Sequence, residues 1–293
     1  MHSHTNLRVL FITMSVNKVF TSIVESHVNV IGVIESKSKN PARQKTNLKE
    51  FCEEHNLPYY FMNKGCNAEL ENWVKSLEPD LIVVNGMSEL LKKNIIDIPK
   101  KGCINLHPTL LPKYRGPYPY FWIFYDMDLN QGSTVHYIDE GEDTGDIIYQ
   151  ESCRIPFGCT QEELIEELES KTGVKLLLKA INAIENGYAP RIKQPENSPT
   201  VRARQITPDE FKSIVDWENW DIERIWHLLR GTQNWLNAYD FSDIPGTIIK
   251  WRVNDYVKEP ITSNIKFGKV YQEDNYYFVY CRQGKIFMDV LYE

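Results

Sequence analysis

Short apolar runs alternating with helical patterns fill the first half of the chain, and they constrain its fold more than any single motif. Residues 7–13, 28–34, 59–62, 81–85 and 103–107 form strand-length runs of mostly β-branched, aromatic and other apolar residues. Residues 18–26, 48–55 and 68–77 between them are helix candidates. A parallel neighbour in a sheet needs a crossover long enough to hold a helix, so this alternation predicts an α/β fold with a Rossmann-like, open, mostly parallel sheet. In such sheets ligands lie beyond the carboxyl ends of the strands, where the strand order reverses.

The fifth run ends in Asn105-Leu106-His107-Pro108. Residues two apart on a strand project to the same side, so Asn105 and His107 share a face while Ile104 and Leu106 take the other. Pro108 stops the ladder. An acidic turn at 139–146 contains Gly141-Glu142-Asp143-Thr144-Gly145, and strands at 133–137 and 147–152 bracket it, a hairpin that would return Asp143 toward His107. A neutral amide donor, an imidazole and a carboxylate able to control its charge are the parts an acyl-type transfer to an amine requires.

With 42% hydrophobic and 25% charged residues, the chain of 293 residues reads as an ordinary globular protein with room for a second, smaller unit. The formal net charge is −7, and residues 201–293 carry 12 Lys and Arg against 14 Asp and Glu. Polyanion binders hold phosphates with clustered Lys and Arg, so no nucleic-acid partner is expected. The six cysteines form no C-x-x-C pair and no zinc-ligand spacing, which predicts reduced thiols and no metal. No apolar run approaches the roughly 18 residues of a membrane span, so a cytoplasmic location without membrane contact is expected.

Beyond Pro108, a stiff loop with three prolines and a glycine at 111–119 leads into a short aromatic helix near 120–125. Thr160-Gln-Glu-Glu163 is a capping box that opens a long helix running to about Asn186, weakened or kinked at Gly173. Pro190, Pro195 and Pro199 mark residues 189–200 as a linker, giving domains 1–195 and 196–293. Five of the seven tryptophans lie in the tail. There Ile222, Ile225, Trp226 and Leu229 predict one amphipathic helix, and alternation at 247–253, 265–270, 276–281 and 285–291 predicts a small antiparallel β module. An aromatic tail of this kind is compatible with a homodimer.

The pattern Asn-x-His-Pro-x-x-Leu-Pro-x-x-Arg-Gly at 105–116, with Asp-Thr-Gly-Asp at 143–146, resembles the formyltransferase family that uses N10-formyltetrahydrofolate. Within it the chain is most similar to sugar-nucleotide N-formyltransferases acting on dTDP-4-amino-4,6-dideoxyhexoses, enzymes of cell-surface glycan (O-antigen) synthesis. The tail is also like that of methionyl-tRNA formyltransferases. The resemblance implies Asn105, His107 and Asp143 as catalytic residues and a formyl-folate co-substrate. It places the folate near Met87, Ser88, Leu90, Leu91, Ile104, Ile138, Asp139 and Glu140. The loop after the first strand lacks the phosphate-cradling glycines of dinucleotide folds. Ser15, Asn17 and Lys18 would hold phosphate there instead; Arg115 and Tyr118 of the proline-rich loop, and Trp235 and Tyr239 as aromatics able to stack on a base, are the other candidates for the sugar nucleotide.

The expected reaction is attack of an amine on the formyl carbon, with Asn105 giving an amide N–H to the developing oxyanion, His107 supplying either an imidazolium N–H or, when neutral, a base for the amine's proton, and Asp143 favouring the charged ring. Formylation of aminoacylated tRNA, hydrolysis of the formyl-folate and a folate-binding protein without turnover are the alternatives. His27, His55, His136 and His227 match no part of the pattern and are expected to be structural or exposed.

Overall fold

A computed structural model of the protein describes residues 6–37, 47–211, 213–233, 238–246, 248–261 and 265–292. The chain divides into two compact units. The first comprises residues 1–119, 130–154 and 165–203, and the second residues 120–129, 155–164 and 204–293.

The first unit is built on a seven-stranded sheet in the order β3-β2-β1-β4-β5-β6-β7. Strands β1 (Val9–Thr13), β2 (Val30–Ser36), β3 (Tyr59–Met62), β4 (Leu81–Asn85) and β5 (Cys103–His107) run parallel. The antiparallel hairpin of β6 (Asn130–Tyr137) and β7 (Ile147–Arg154) completes it. The predicted fold class is therefore observed: β3, β4 and β5 start and stop at the residues expected from sequence. The order reverses between β1 and β4, where Thr13 and Asn85 are register partners at the carboxyl ends.

Helices cover both faces, as fully buried strands require. On one face Leu10, Ile12, Ile82, Val84 and Cys103 pack with Leu70 and Val74 of α3 (Ala68–Leu77) and Ile95 of α4 (Lys93–Ile96). On the other, Phe11, Val83, Ile104 and Leu106 meet α1 (Lys18–Val24), α2 (Leu48–Glu54) and α7 (Val174–Glu185). The two-residue period puts Asn105 and His107 on the Cys103 side of β5. The predicted long helix is interrupted. A π-helical stretch, Glu166–Gly173, separates α6 (Gln161–Ile165) from α7 and ends at the glycine expected to weaken it.

In the second unit, α5 (Pro119–Tyr125) supplies Phe121 and Phe124, both fully buried. The capping box forms as predicted: Thr160 N–H donates to Glu163 Oε2 at 2.8 Å and Glu163 N–H to Thr160 Oγ1 at 3.3 Å. A second capping box, Thr207 with Glu210, opens the short α8 (Pro208–Phe211). The amphipathic helix is α9 (Ile222–Thr232). Four antiparallel strands follow in the order β8-β11-β10-β9: β8 (Ile248–Lys258), β9 (Val270–Glu273), β10 (Tyr276–Cys281) and β11 (Gly284–Tyr292).

One predicted strand is corrected. Residues 265–269 are not a strand, because Gly268 adopts φ +76° and a Cβ there would lie 2.7 Å from Trp217 Nε1. The chain turns at that glycine, and the strand begins at Val270.

Candidate active site

Strand β5 delivers Asn105 and His107 and the β6–β7 turn delivers Asp143, all in the first unit; Asp143 approaches His107 directly and is linked to Asn105 through His136. His107 is 4% exposed. Its Nδ1 stands 3.7 Å from Asp143 Oδ2, and its Nε2 is 3.2 Å from the Tyr114 carbonyl oxygen. A carbonyl only accepts, so Nε2 carries a proton and, in the neutral ring, Nδ1 is bare.

Burial is the main influence on His107 and pushes the imidazole below its ordinary value. Asp143 pulls it upward, and His136 adds to the lowering. Asp143 favours the charged form of this ring, but desolvation outweighs the carboxylate. For Asp143, burial alone would raise the carboxyl. His107, His136 and the Gly116 N–H, which donates to Oδ2 at 2.9 Å, overcome it and hold the group well below the usual carboxylate range.

His136, expected to be structural or exposed, is instead a member of this cluster. It is the register partner of Asn105 across the antiparallel β5/β6 pair. Its Nε2 lies 3.2 Å from Asn105 Nδ2 and 3.6 Å from Asp143 Oδ1, and its Nδ1 lies 2.7 Å from the Tyr137 carbonyl. The signal in sequence was a third polar residue on the strand that pairs with Asn105. Reading it requires the register. Asn85 was also passed over. It is buried at the reversal of strand order, donates to Glu169 Oε2 at 3.3 Å, and its Oδ1 has no protein partner.

Backbone shape contributes as well. Tyr114 (φ +53°) and Asp143 (φ +54°) both occupy the left-handed region, uncommon for residues with a side chain. Gly116 has φ +125°, and a Cβ on it would lie 2.8 Å from the Ala203 carbonyl oxygen.

The remaining candidates fall into separate groups. Met87, Ser88 and Ile138 are half-buried and Leu90 is exposed, so all four present surface. Leu91 and Ile104 belong to the apolar cores on opposite faces of the sheet, and can only back a site. Asp139 Oδ1 accepts from Gly141 N–H at 3.0 Å and Thr144 Oγ1 at 2.7 Å, which shapes the acidic turn. Glu140 is exposed and lies 3.8 Å from Lys93.

Asn17 caps α1 by accepting from Phe20 N–H at 2.9 Å, Ser15 accepts from Thr13 Oγ1 through its carbonyl at 3.1 Å, and Lys18 pairs with Glu166 at 2.8 Å. Arg115 spends its guanidinium on Gln194 Oε1 and the carbonyls of Pro195 and Glu196. Tyr118 N–H donates to the Ala203 carbonyl at 2.9 Å. In the second unit Tyr239 is buried against Trp217, Phe241 and Trp251. Trp235 lies outside the described residues.

The family model for formyl transferase matches residues 8–181, which takes in all three proposed reacting side chains. The chain belongs to the formyl transferase family. This formyltransferase is therefore an enzyme of a class that draws its one-carbon group from formyltetrahydrofolate. It is 33% identical to the methionyl-tRNA formyltransferase of Clostridioides difficile (strain 630) over 240 residues, 80% of this chain and 75% of the relative. It is 35% identical to the methionyl-tRNA formyltransferase of Alkaliphilus oremlandii (strain OhILAs) over 235 residues, 78% and 74% of the two chains.

Among solved structures it resembles the N-formyltransferase of Helicobacter canadensis in complex with folinic acid and dTDP-3-aminofucose. The TM-score is 0.68 at 19% identity, covering 97% of this chain and 100% of the other. WlaRD, a sugar 3N-formyl transferase, gives 0.66 at 20% identity and 98% of both chains. At those identities the structural likeness establishes fold. Among the described residues, no helix of the formyltransferase is long and apolar enough to cross a membrane.

Proposed function

We propose that the chain moves the formyl group of N10-formyltetrahydrofolate onto a primary amine, using Asn105, His107 and Asp143. The observation that carries this reading is the approach of Asp143 Oδ2 to His107 Nδ1 at 3.7 Å, between residues far apart in sequence. Lowered by burial, His107 is neutral near pH 7, and its bare Nδ1 is the position for the proton that the attacking amine loses. The imidazolium so formed is satisfied at both nitrogens, by the Tyr114 carbonyl and by Asp143. Asn105 donates one amide hydrogen toward His136 and offers the second to the oxygen of the formyl carbon as that oxygen becomes negative. The transfer breaks the bond from formyl carbon to folate nitrogen and forms one to the acceptor nitrogen. The proton held on His107 is the one available to the leaving nitrogen.

Met87, Ser88, Leu90 and Ile138 are the accessible groups for the folate ring, with main-chain groups of the acidic turn for its polar edge. Residues 1–195 carry the chemistry in this reading.

For the acceptor, methionyl-tRNA has the stronger support, because the sequence relatives at 33% and 35% identity are methionyl-tRNA formyltransferases. A second reading, the amine of a nucleotide-linked amino-dideoxy sugar, is favoured by a specific observation. Residues 201–293 carry 12 basic against 14 acidic residues, a poor surface for a polyanion. Likeness over nearly the whole chain to the two sugar N-formyltransferases points the same way.

The experiment is to incubate the protein with the formyl-folate and, separately, methionyl-tRNA or a panel of dTDP-amino sugars, and to follow product by mass. Formylated tRNA with inert sugars supports the first acceptor; the reverse supports the second. Formate release without any acceptor product would refute formyl transfer to an amine.

A further inference from the structure

The segment that composition marks as a linker, together with residues 201–203 after it, is hydrogen-bonded at many points to the loops that shape the site. Thr200 Oγ1 accepts from Tyr114 N–H at 2.7 Å, and Ser198 Oγ donates to the Pro112 carbonyl at 2.7 Å. Ala203 N–H donates to the Arg115 carbonyl at 2.8 Å, and Arg202 forms a two-pronged ion pair with Glu142. Both left-handed residues of the site, Tyr114 and Asp143, are tied to this one segment.

Beside the direct bond from Gly116 N–H to Asp143 Oδ2 at 2.9 Å, the two loops are joined by the Gln194 amide. Its Oε1 accepts from Arg115 Nε at 3.2 Å and Nη2 at 2.8 Å, and its Nε2 donates to the carbonyls of Asp143 at 2.9 Å and Gly145 at 2.7 Å. Arginine has only donors and carbonyls only accept, so the amide has one possible orientation and both of its ends are used. No other side chain of this length offers two acceptor sites on one atom and two donors on its neighbour. A glutamate would keep Arg115 and repel both carbonyls; a methionine would lose all four bonds.

We propose that Gln194 is a positioning residue for formyl transfer, holding the Asp143 backbone so that its carboxylate faces His107. The inference rests on the assignment of Asp143 and His107 to the reaction. Besides burial, which dominates, four groups bear on the charge of His107: Asp143, His136, the Tyr114 carbonyl and Glu142. Of these, Asp143 and Glu142 sit on the turn that Gln194 and Arg202 hold.

The test uses the full-length chain with Gln194→Glu and Gln194→Met, alone and combined with Asp143→Asn. The single variants are expected to lower kcat about 10- to 30-fold while both KM values stay within about twofold. The acid limb of the pH–rate profile should move to lower pH, because an imidazole that loses its carboxylate neighbour binds its proton less tightly. In the Asp143→Asn background the same changes should cost less than about twofold, since residues that act as one unit are not additive. Thermal unfolding identifies a variant that fails to fold, and the other then serves.

Wild-type kcat in a folded Gln194 variant, an unmoved pH profile, or an equal loss in both backgrounds would overturn the proposal. If Asp143→Asn itself turned over normally, the catalytic reading would fall and this inference with it. A slow Asp143→Asn beside normal Gln194 variants would sink the inference alone.

Discussion

Asn105 Nδ2 lies 3.2 Å from His136 Nε2 across the β5/β6 pair, so a strand neighbour orients the proposed oxyanion donor. His136 donates its own Nδ1–H to the Tyr137 carbonyl at 2.7 Å, which turns Nε2 toward Asn105 and Asp143. His136→Phe is expected to lower kcat by roughly an order of magnitude by freeing the Asn105 amide to rotate. Steady-state kinetics decides it; an unchanged kcat in a folded protein would remove His136 from the site.

Asn105→Ala, His107→Asn and Asp143→Asn should each lower kcat by at least about 10² while the far-ultraviolet circular dichroism stays native. Near wild-type turnover in His107→Asn would refute the role assigned to that imidazole.

The pH dependence follows from the direction of the His107 shift. Burial lowers its pKa, and the base must be neutral, so kcat/KM should stay flat down to an acid limb below about 6.5. Asp143→Asn should carry that limb lower still, since the carboxylate favours the charged ring. A limb that moved upward in Asp143→Asn would contradict the electrostatic arrangement.

A separate prediction concerns stability. His227 is fully buried, and desolvation lowers it from 6.5 to about 4. Its Nδ1 accepts from Gly158 N–H at 3.0 Å, so protonation there sets donor against donor. A depressed imidazole contributes stability that is present above pH 6.5 and is lost as pH falls toward 4. Between pH 7 and 5 this amounts to about 2 kcal/mol. Denaturant unfolding at the two values should show His227→Gln losing less than wild type by about that amount; equal losses would refute it.

Gly116→Ala should destabilise the first unit by about 1–3 kcal/mol, because the alanine methyl would press on the Ala203 carbonyl and the backbone would sit in a region reserved for glycine. A melting temperature within a degree of wild type would show that the loop yields.

Much of the fold was legible because β3, β4 and β5 are short apolar runs bounded by turn chemistry, which fixes where each strand starts and stops. The 265–270 run failed for a reason local to Gly268: alternation continues through it in sequence while the chain turns in space. In the candidate site, Asn105 and His107 were readable from their two-residue spacing. His136 was not, because its meaning depends on which strand it faces. Arg115, Asn17 and Lys18 looked available as lone polar residues and prove to be engaged by Gln194, by the start of α1 and by Glu166. Residues 189–200 read as a linker because prolines break secondary structure, yet the bonds that hold Ser198 and Thr200 come from a loop some 86 positions away.

That attachment bears on how the enzyme can be dissected. A fragment cut after residue 195 would retain Asn105, His107, Asp143 and Gln194 but lose Ser198, Thr200, Arg202 and Ala203, the fasteners for Tyr114, Glu142 and the loop ending at Tyr118. Its chemistry would be intact on paper and slack in solution, so the smallest excised piece worth assaying extends at least through Ala203.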